Sequence, residues 1–180
     1  MSTTITQIPA GTWSADKVHS TVGFAVKHMV VSTFRGRFED FDATLVTGDD
    51  GTLRLEGAVK ADSLVVKDEN LAAHLQSPEF FDAERTPEIR FESDALRIDG
   101  SDVVVDGDLT IKGITHRVEA RGTITEPVEA FGGPKLGLEL ETIVDRTQYG
   151  LNWNAPLPKG GFALDNEVKL IVDLELALEA

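Results

Sequence analysis

The chain contains no cysteine, which removes disulfides and thiolate chemistry from its repertoire and leaves the redox state of its compartment unconstrained. Basic residues are also in short supply. Seventeen lysines and arginines stand against 31 acidic residues, a formal net charge of −14 with histidine neutral. That balance disfavours nucleic acid or an anionic bilayer surface as a default partner. No apolar run is long enough to cross a bilayer as a helix, so no stable membrane insertion is expected. The opening segment MSTTITQIPAGTW has neither a basic n-region nor an apolar h-region. It reads as leaderless, with the cytoplasm as the expected compartment. There is no GxSxG, no HExxH and no glycine-rich phosphate loop, and no cofactor is expected.

What is present is alternation. At 180 residues the chain suits one domain, 1–180, built on one core. Val18, Ser20, Val22, Phe24, Val26 and His28 share one strand face, and Lys17, His19, Thr21, Gly23, Ala25 and Lys27 the other, because strand side chains alternate. Thr33 to Val46 and Leu53 to Ala61 continue as a meander, with a tight reversal at Gly48-Asp49-Asp50-Gly51. Asp68 as a cap and Ser77-Pro78 as a stop predict a short helix over Glu69 to Gln76. The phase of alternation slips at Asp94-Ala95, which predicts a bulge. Asp99-Gly100 predicts a hairpin turn, Gly113 a second, and Leu151 to Asn166 a loop. The final strand is the most regular, with Val168, Leu170, Val172, Leu174, Leu176 and Leu178 on one face. So many antiparallel strands ending this way predict a closed sheet, which removes exposed edges.

Candidate chemistry is sparse. Four histidines, His19, His28, His74 and His116, raise a metal reading, but no paired-histidine spacing with a third ligand accompanies them. His19 and His28 point opposite ways unless the strand breaks between them, so no metal site is expected. Ser20 follows His19 directly, yet strand neighbours face apart and cannot form the hydrogen bond that activates a serine. The carboxylates fall mainly on wet faces, where a solvated role outweighs acid-base work. Aromatics are spread along the chain, as suits either a packed core or a cavity wall. Small inward residues such as Gly57, Ala61, Gly107, Ala120 and Gly122 favour a cavity, although close helix packing on the same glycines would look identical.

Several segments carry a family resemblance. They are Asp16, His19, Ser20, Phe24 and His28; then FRGRF with Phe34, Gly36 and Phe38; HLQSPEFFD from His74 to Asp82; PEIRF from Pro87 to Phe91; GDLTIKGIT from Gly107 to Thr115; and DRTQYGL from Asp145 to Leu151. In their order and spacing the chain resembles the YceI-like family from Trp13 to the last strand. It departs at Glu79, where the family more usually has aspartate, and at Leu71-Ala72, where it tends to be more polar. The resemblance implies an all-β fold, an eight-stranded antiparallel β-barrel of lipocalin-like shape with a short helix. It also implies binding, storage or transport of a long-chain isoprenoid lipid inside the barrel, without catalysis, with a homodimer open to it. On that reading the expected ligand-binding residues are Val22, Phe24, Val26, His28, Phe38, Leu109, Ile111, Leu138, Arg146 and Val172. His28, His19 and Arg146 are the candidate polar contacts. Two rivals stand beside it: a small hydrolase or isomerase using His28 with a carboxylate, and a stress-related interaction scaffold with a solid core.

Overall fold

The computed structural model describes residues 8–180. In chain order its strands are β1 (Gly11–Ala15), β2 (Thr21–His28), β3 (Ser32–Phe38), β4 (Phe41–Thr47), β5 (Leu53–Lys60), β6 (Leu64–Val65), β7 (Glu88–Asp99), β8 (Asp102–Ile111), β9 (Ile114–Ile124), β10 (Val128–Ala130), β11 (Gly133–Asp145) and β12 (Leu164–Leu178). One helix, α1 (Glu69–Gln76), lies between β6 and β7. Eight strands, β1, β4, β5, β7, β8, β9, β11 and β12, close into an antiparallel barrel. Closure pairs most of each ring strand on both sides, which lets the strands be long and apolar on one face without exposing long edges.

β12 is the seam. One edge pairs with β11 from Lys135↔Ala177 to Asp145↔Glu167. Its other edge is shared, since Leu176–Leu178 face β1 while Leu164–Asp173 face β2. The wall therefore divides. At one end it runs from β12 through β1 to β4, and at the other it continues through β2 and β3 to β6. At the first end Trp13, Leu45, Val103, Val105, Ile124, Leu136, Leu138 and Leu176 are essentially without solvent contact and form a solid floor. At the second end α1 lies over the interior. Asp68 caps it by accepting from Leu71 N at 2.9 Å, Leu75 is its buried anchor, and Ser77-Pro78 ends it.

The strand from Val18 to His28 is broken. Asp16 accepts hydrogen bonds from the backbone N–H groups of Val18 and His19, which folds 16–20 into a turn and leaves Val18 85% exposed rather than inward. The run Thr33 to Val46 is likewise split at Glu39-Asp40, and β3 pairs with β6 rather than with β4, so no meander forms there. The predicted bulge lies between Ser93 and Ala95. The hairpin after β7 turns on Gly100-Ser101, one residue later than read, because Asp99 pairs with Asp102 and only Gly100 has positive φ. β1 escaped the sequence reading because five residues give too short a pattern.

Candidate functional site

Between the floor and α1 the barrel is hollow, with a cavity of about 580 Å³. That falls within the roughly 300–1,000 Å³ typical of small-molecule sites. Phe24 is the centre of its aromatic wall, with ring centroids of Phe34, Phe38 and Phe81 at 6.0, 6.1 and 6.2 Å. His74 from α1 stands edge-on to Phe80 and Trp153 at 5.0 and 4.8 Å and lines the upper end. Its Nε2 lies 2.7 Å from a Glu79 carboxylate oxygen.

Val22, Phe24, Val26, His28, Phe38, Leu109, Ile111, Arg146 and Val172 all line this space. Leu138 does not; it is 0% exposed and packed in the floor. Alternation places Leu138 inward correctly but carries no information about depth along the barrel axis. His28 sits at the exposed rim of the cavity, and His19 lies outside it. Of the small inward residues, Gly57 and Ala120 line the cavity. Gly107 and Gly122 instead permit close backbone approach, since an added Cβ would collide with Glu92 O and Glu139 O respectively. Sequence reasoning left Leu71, Tyr149 and Trp153 off the lining, because loops and helices reach the cavity only through tertiary packing.

Two polar groups stand out in this apolar wall. Arg146 is only 6% exposed. Its Nε donates to Asp165 O at 2.8 Å and its Nη1 to Leu151 O and Trp153 O at 2.6 and 2.9 Å, tying down the loop before β12. Among the described residues Nη2 has no partner, and neither has the hydroxyl of Tyr149, which is 1% exposed. Both residues line the cavity. Burial pulls the Arg146 pKa below the usual arginine range and pushes the Tyr149 phenol up. Arg146 Nη2 and the Tyr149 hydroxyl oxygen have almost no accessible surface, so they are sealed behind the wall rather than presented into the cavity, an uncommon arrangement because an unpaired buried donor forgoes its hydration.

The break before β2 assembles a second cluster. His19 Nδ1 lies 3.1 Å from Asp16 Oδ2 and 3.5 Å from Glu175 Oε2. Sequence spacing could not show this, because Glu175 arrives from the last strand. A metal ion there would compete with the Lys135 ammonium, 3.8 Å from the same Glu175 oxygen, and with the turn that already occupies the Asp16 carboxylate. The His19 hydrogen bond, with help from Val18 N, lowers the Asp16 pKa from 3.8 to about 2. A carboxylate depressed in the folded state stabilises fully above its unfolded value and loses that contribution as pH falls through the folded one. Thermal melts of Asp16→Asn should therefore show a shallower loss of stability than the parent between about pH 4 and pH 2.

The geometry defines a class: a calyx-like β-barrel, closed by packed side chains at one end and hollow and apolar beneath a helix at the other. Residues 13–176 match the YceI-like domain, and the chain belongs to the YceI-like family. It is 32% identical over 169 residues to the UPF0312 protein SA2479 of Staphylococcus aureus, covering 91% of this chain and 95% of that one. In fold it is similar to BcnA of Burkholderia cenocepacia, with a TM-score of 0.76 at 21% identity over 91% of this chain and 99% of that one. It is also similar in fold to a polyisoprenoid-binding domain from Saccharophagus degradans implicated in plant cell wall breakdown. There the TM-score is 0.70 at 11% identity, over 93% of this chain and 98% of that one. Among the described residues no helix is long and apolar enough to cross a membrane.

Proposed function

We propose that this protein binds and carries a long isoprenoid lipid or similar amphiphile, such as an isoprenoid quinone, in the barrel cavity. The observation that carries this reading is a cavity of about 580 Å³ with an apolar wall beneath α1. At roughly 30 Å³ for a water-sized group, the volume accepts about 20 non-hydrogen atoms, or about four five-carbon units. Burial of each CH₂ contributes about 0.8 kcal/mol, so a chain of that length is held by apolar area alone. His28, at the exposed rim of the cavity, is then placed to meet a polar head group. The ligand binding named for the Saccharophagus domain supports the same assignment. A hollow interior argues against the solid-core scaffold. The reading is of a carrier without catalysis.

Native mass spectrometry of protein purified without detergent, followed by organic extraction, tests it. The expected result is a discrete added mass that extracts as an isoprenoid. A bare mass that stays unchanged after incubation with polyprenyl lipids overturns it. The same spectrum reports whether the homodimer implied by the family forms.

A further inference from the structure

The tip of the β2–β3 hairpin is both exposed and strained. Met29, Val30 and Val31 are 43, 79 and 83% exposed, and Met29 and Val30 have φ of +55° and +66°. The tight turn, closed by Val31 N donating to His28 O at 3.2 Å, calls for positive φ at both central positions, where asparagine or glycine would be less strained than methionine and valine. Packing does not explain Val30, which projects into solvent. Met29 N donates to Ala163 O at 2.7 Å, which brings the 60% exposed Phe162 alongside. The four apolar side chains thus adjoin His28 and Leu164, both of which line the cavity.

The hairpin behind this tip is more basic than the chain as a whole. From Lys17 to Phe38 there is no acidic residue in a protein of net charge −14; Lys17 and Arg37, toward the far end of the hairpin, pair with Asp42 and Glu39, which leaves Lys27 and Arg35 behind the tip. The pairings Ala25↔Arg35 and Gly23↔Arg37 place both arginines, with Lys27, on the outer face of the hairpin, opposite Val22, Phe24 and Val26. Lys159 tips the neighbouring turn between Leu157 and Gly161. Among the described residues, Lys27, Arg35 and Lys159 have no carboxylate within 4.0 Å. Asp165 and Glu167 lie in the β12 segment between Leu164↔His28 and Val168↔Val26, beside Lys27, so the excess positive charge behind the tip rests on Arg35 and Lys159, and fields from the far side of the barrel are screened over about 8 Å at physiological salt. The other exposed apolar turn provides the contrast. Phe131 is 100% exposed, but it lies at the floor end between β10 and β11 and follows Glu126 and Glu129.

Apolar side chains at a tip with cations set behind them match the layering of a bilayer surface, acyl boundary first and anionic headgroups next. We propose that the β2–β3 hairpin tip, with Phe162, docks this protein onto a lipid bilayer that carries anionic headgroups, holding the cavity mouth against the source of its ligand. This inference rests on the lipid-carrier reading for its purpose but not for its test.

The test is flotation of the full chain with vesicles of mixed phosphatidylcholine and phosphatidylglycerol, beside phosphatidylcholine alone. The parent should float with the mixed vesicles, and Val30→Asn/Val31→Ser should reduce the bound fraction about fivefold or more. Lys27→Glu/Arg35→Glu should do the same, and Phe131→Ser should change nothing. Asparagine tolerates the left-handed region better than valine, so the tip variant folds, and a thermal melt checks that it does. A parent that stays unbound with both vesicles overturns the proposal, as does a tip variant that floats like the parent. So does a tip-dependent dimer without vesicle capture. Uptake of a polyprenol delivered from ethanol separates the two readings. A tip variant that still takes it up while losing flotation supports docking, whereas a parent that floats but takes up nothing overturns the carrier reading and leaves docking standing.

Discussion

Gly122→Ala is expected to destabilise the barrel by about 4 kcal/mol or more, a large part of the 5–15 kcal/mol available to an ordinary domain. Gly122 is paired on both sides, with Val103 of β8 and Leu140 of β11. An added Cβ would collide with the carbonyl oxygen of Glu139 and stand 2.6 Å from its carbonyl carbon. Those are backbone atoms of a long central strand, so no rotamer change relieves the clash. The β9–β11 pairing must spread, and each ladder hydrogen bond it loses costs about another 1 kcal/mol. At roughly 2–4 °C per kcal/mol for a chain of this size, the melting temperature should fall by about 10 °C or more. Gly57→Ala is the matched control. Its Cβ would meet only Asp42 O at 3.5 Å and Ala43 Cβ at 3.9 Å, ordinary contact distances, and its melt should stay within a few degrees of the parent. Equal losses at the two positions would show that the effect is strand propensity rather than close approach.

That contrast also shows how much of this molecule is legible in its sequence. Period-two alternation reports which face of a strand is inward, and it does so correctly for β12, where Val168, Leu170, Val172 and Leu174 line the cavity, although the strand begins at Leu164, inside the stretch read as a loop. Helix α1 is legible to the residue because Asp68 and Ser77-Pro78 act locally, through one side-chain hydrogen bond and one missing N–H. What alternation does not carry is position along the barrel axis. Leu138 and Leu140 are two residues apart on one face of β11, yet Leu140 lines the cavity and Leu138 is sealed in the floor. Nor does a glycine announce whether it leaves room or lets another backbone approach, as Gly57 and Gly122 demonstrate. The break at 16–20 was hidden because Asp16 imposes it through bonds to Val18 and His19, residues whose own propensities continue the strand. Arg146 was visible as a charged residue in a family-like segment. Its unpartnered Nη2 depends on three carbonyls from 151–165 that only the folded chain brings to it.

The division of the interior into floor and cavity makes opposite predictions for two substitutions on inward positions. Ala120 lines the cavity and is 8% exposed. Ala120→Phe places six more carbons and their hydrogens in space meant for ligand, against a capacity of about 20 non-hydrogen atoms. Excluding about six methylene-sized groups of a bound chain removes roughly 5 kcal/mol of transfer free energy, and even partial retraction of the ring leaves a loss of a hundredfold or more in affinity. Stability should hold or rise, because the ring buries apolar surface without displacing packed neighbours. Leu138→Ala should do the reverse. It opens a void in a floor residue that is 0% exposed, costing about 2–5 kcal/mol, while the cavity lining and the affinity for polyprenol stay near those of the parent. Urea unfolding and titration of a fluorescent polyprenyl analogue, run on both variants, read the two quantities separately. If Ala120→Phe binds as the parent does, the ligand lies elsewhere than in the barrel. If Leu138→Ala loses affinity in proportion to stability, floor and cavity are one cooperative site rather than two.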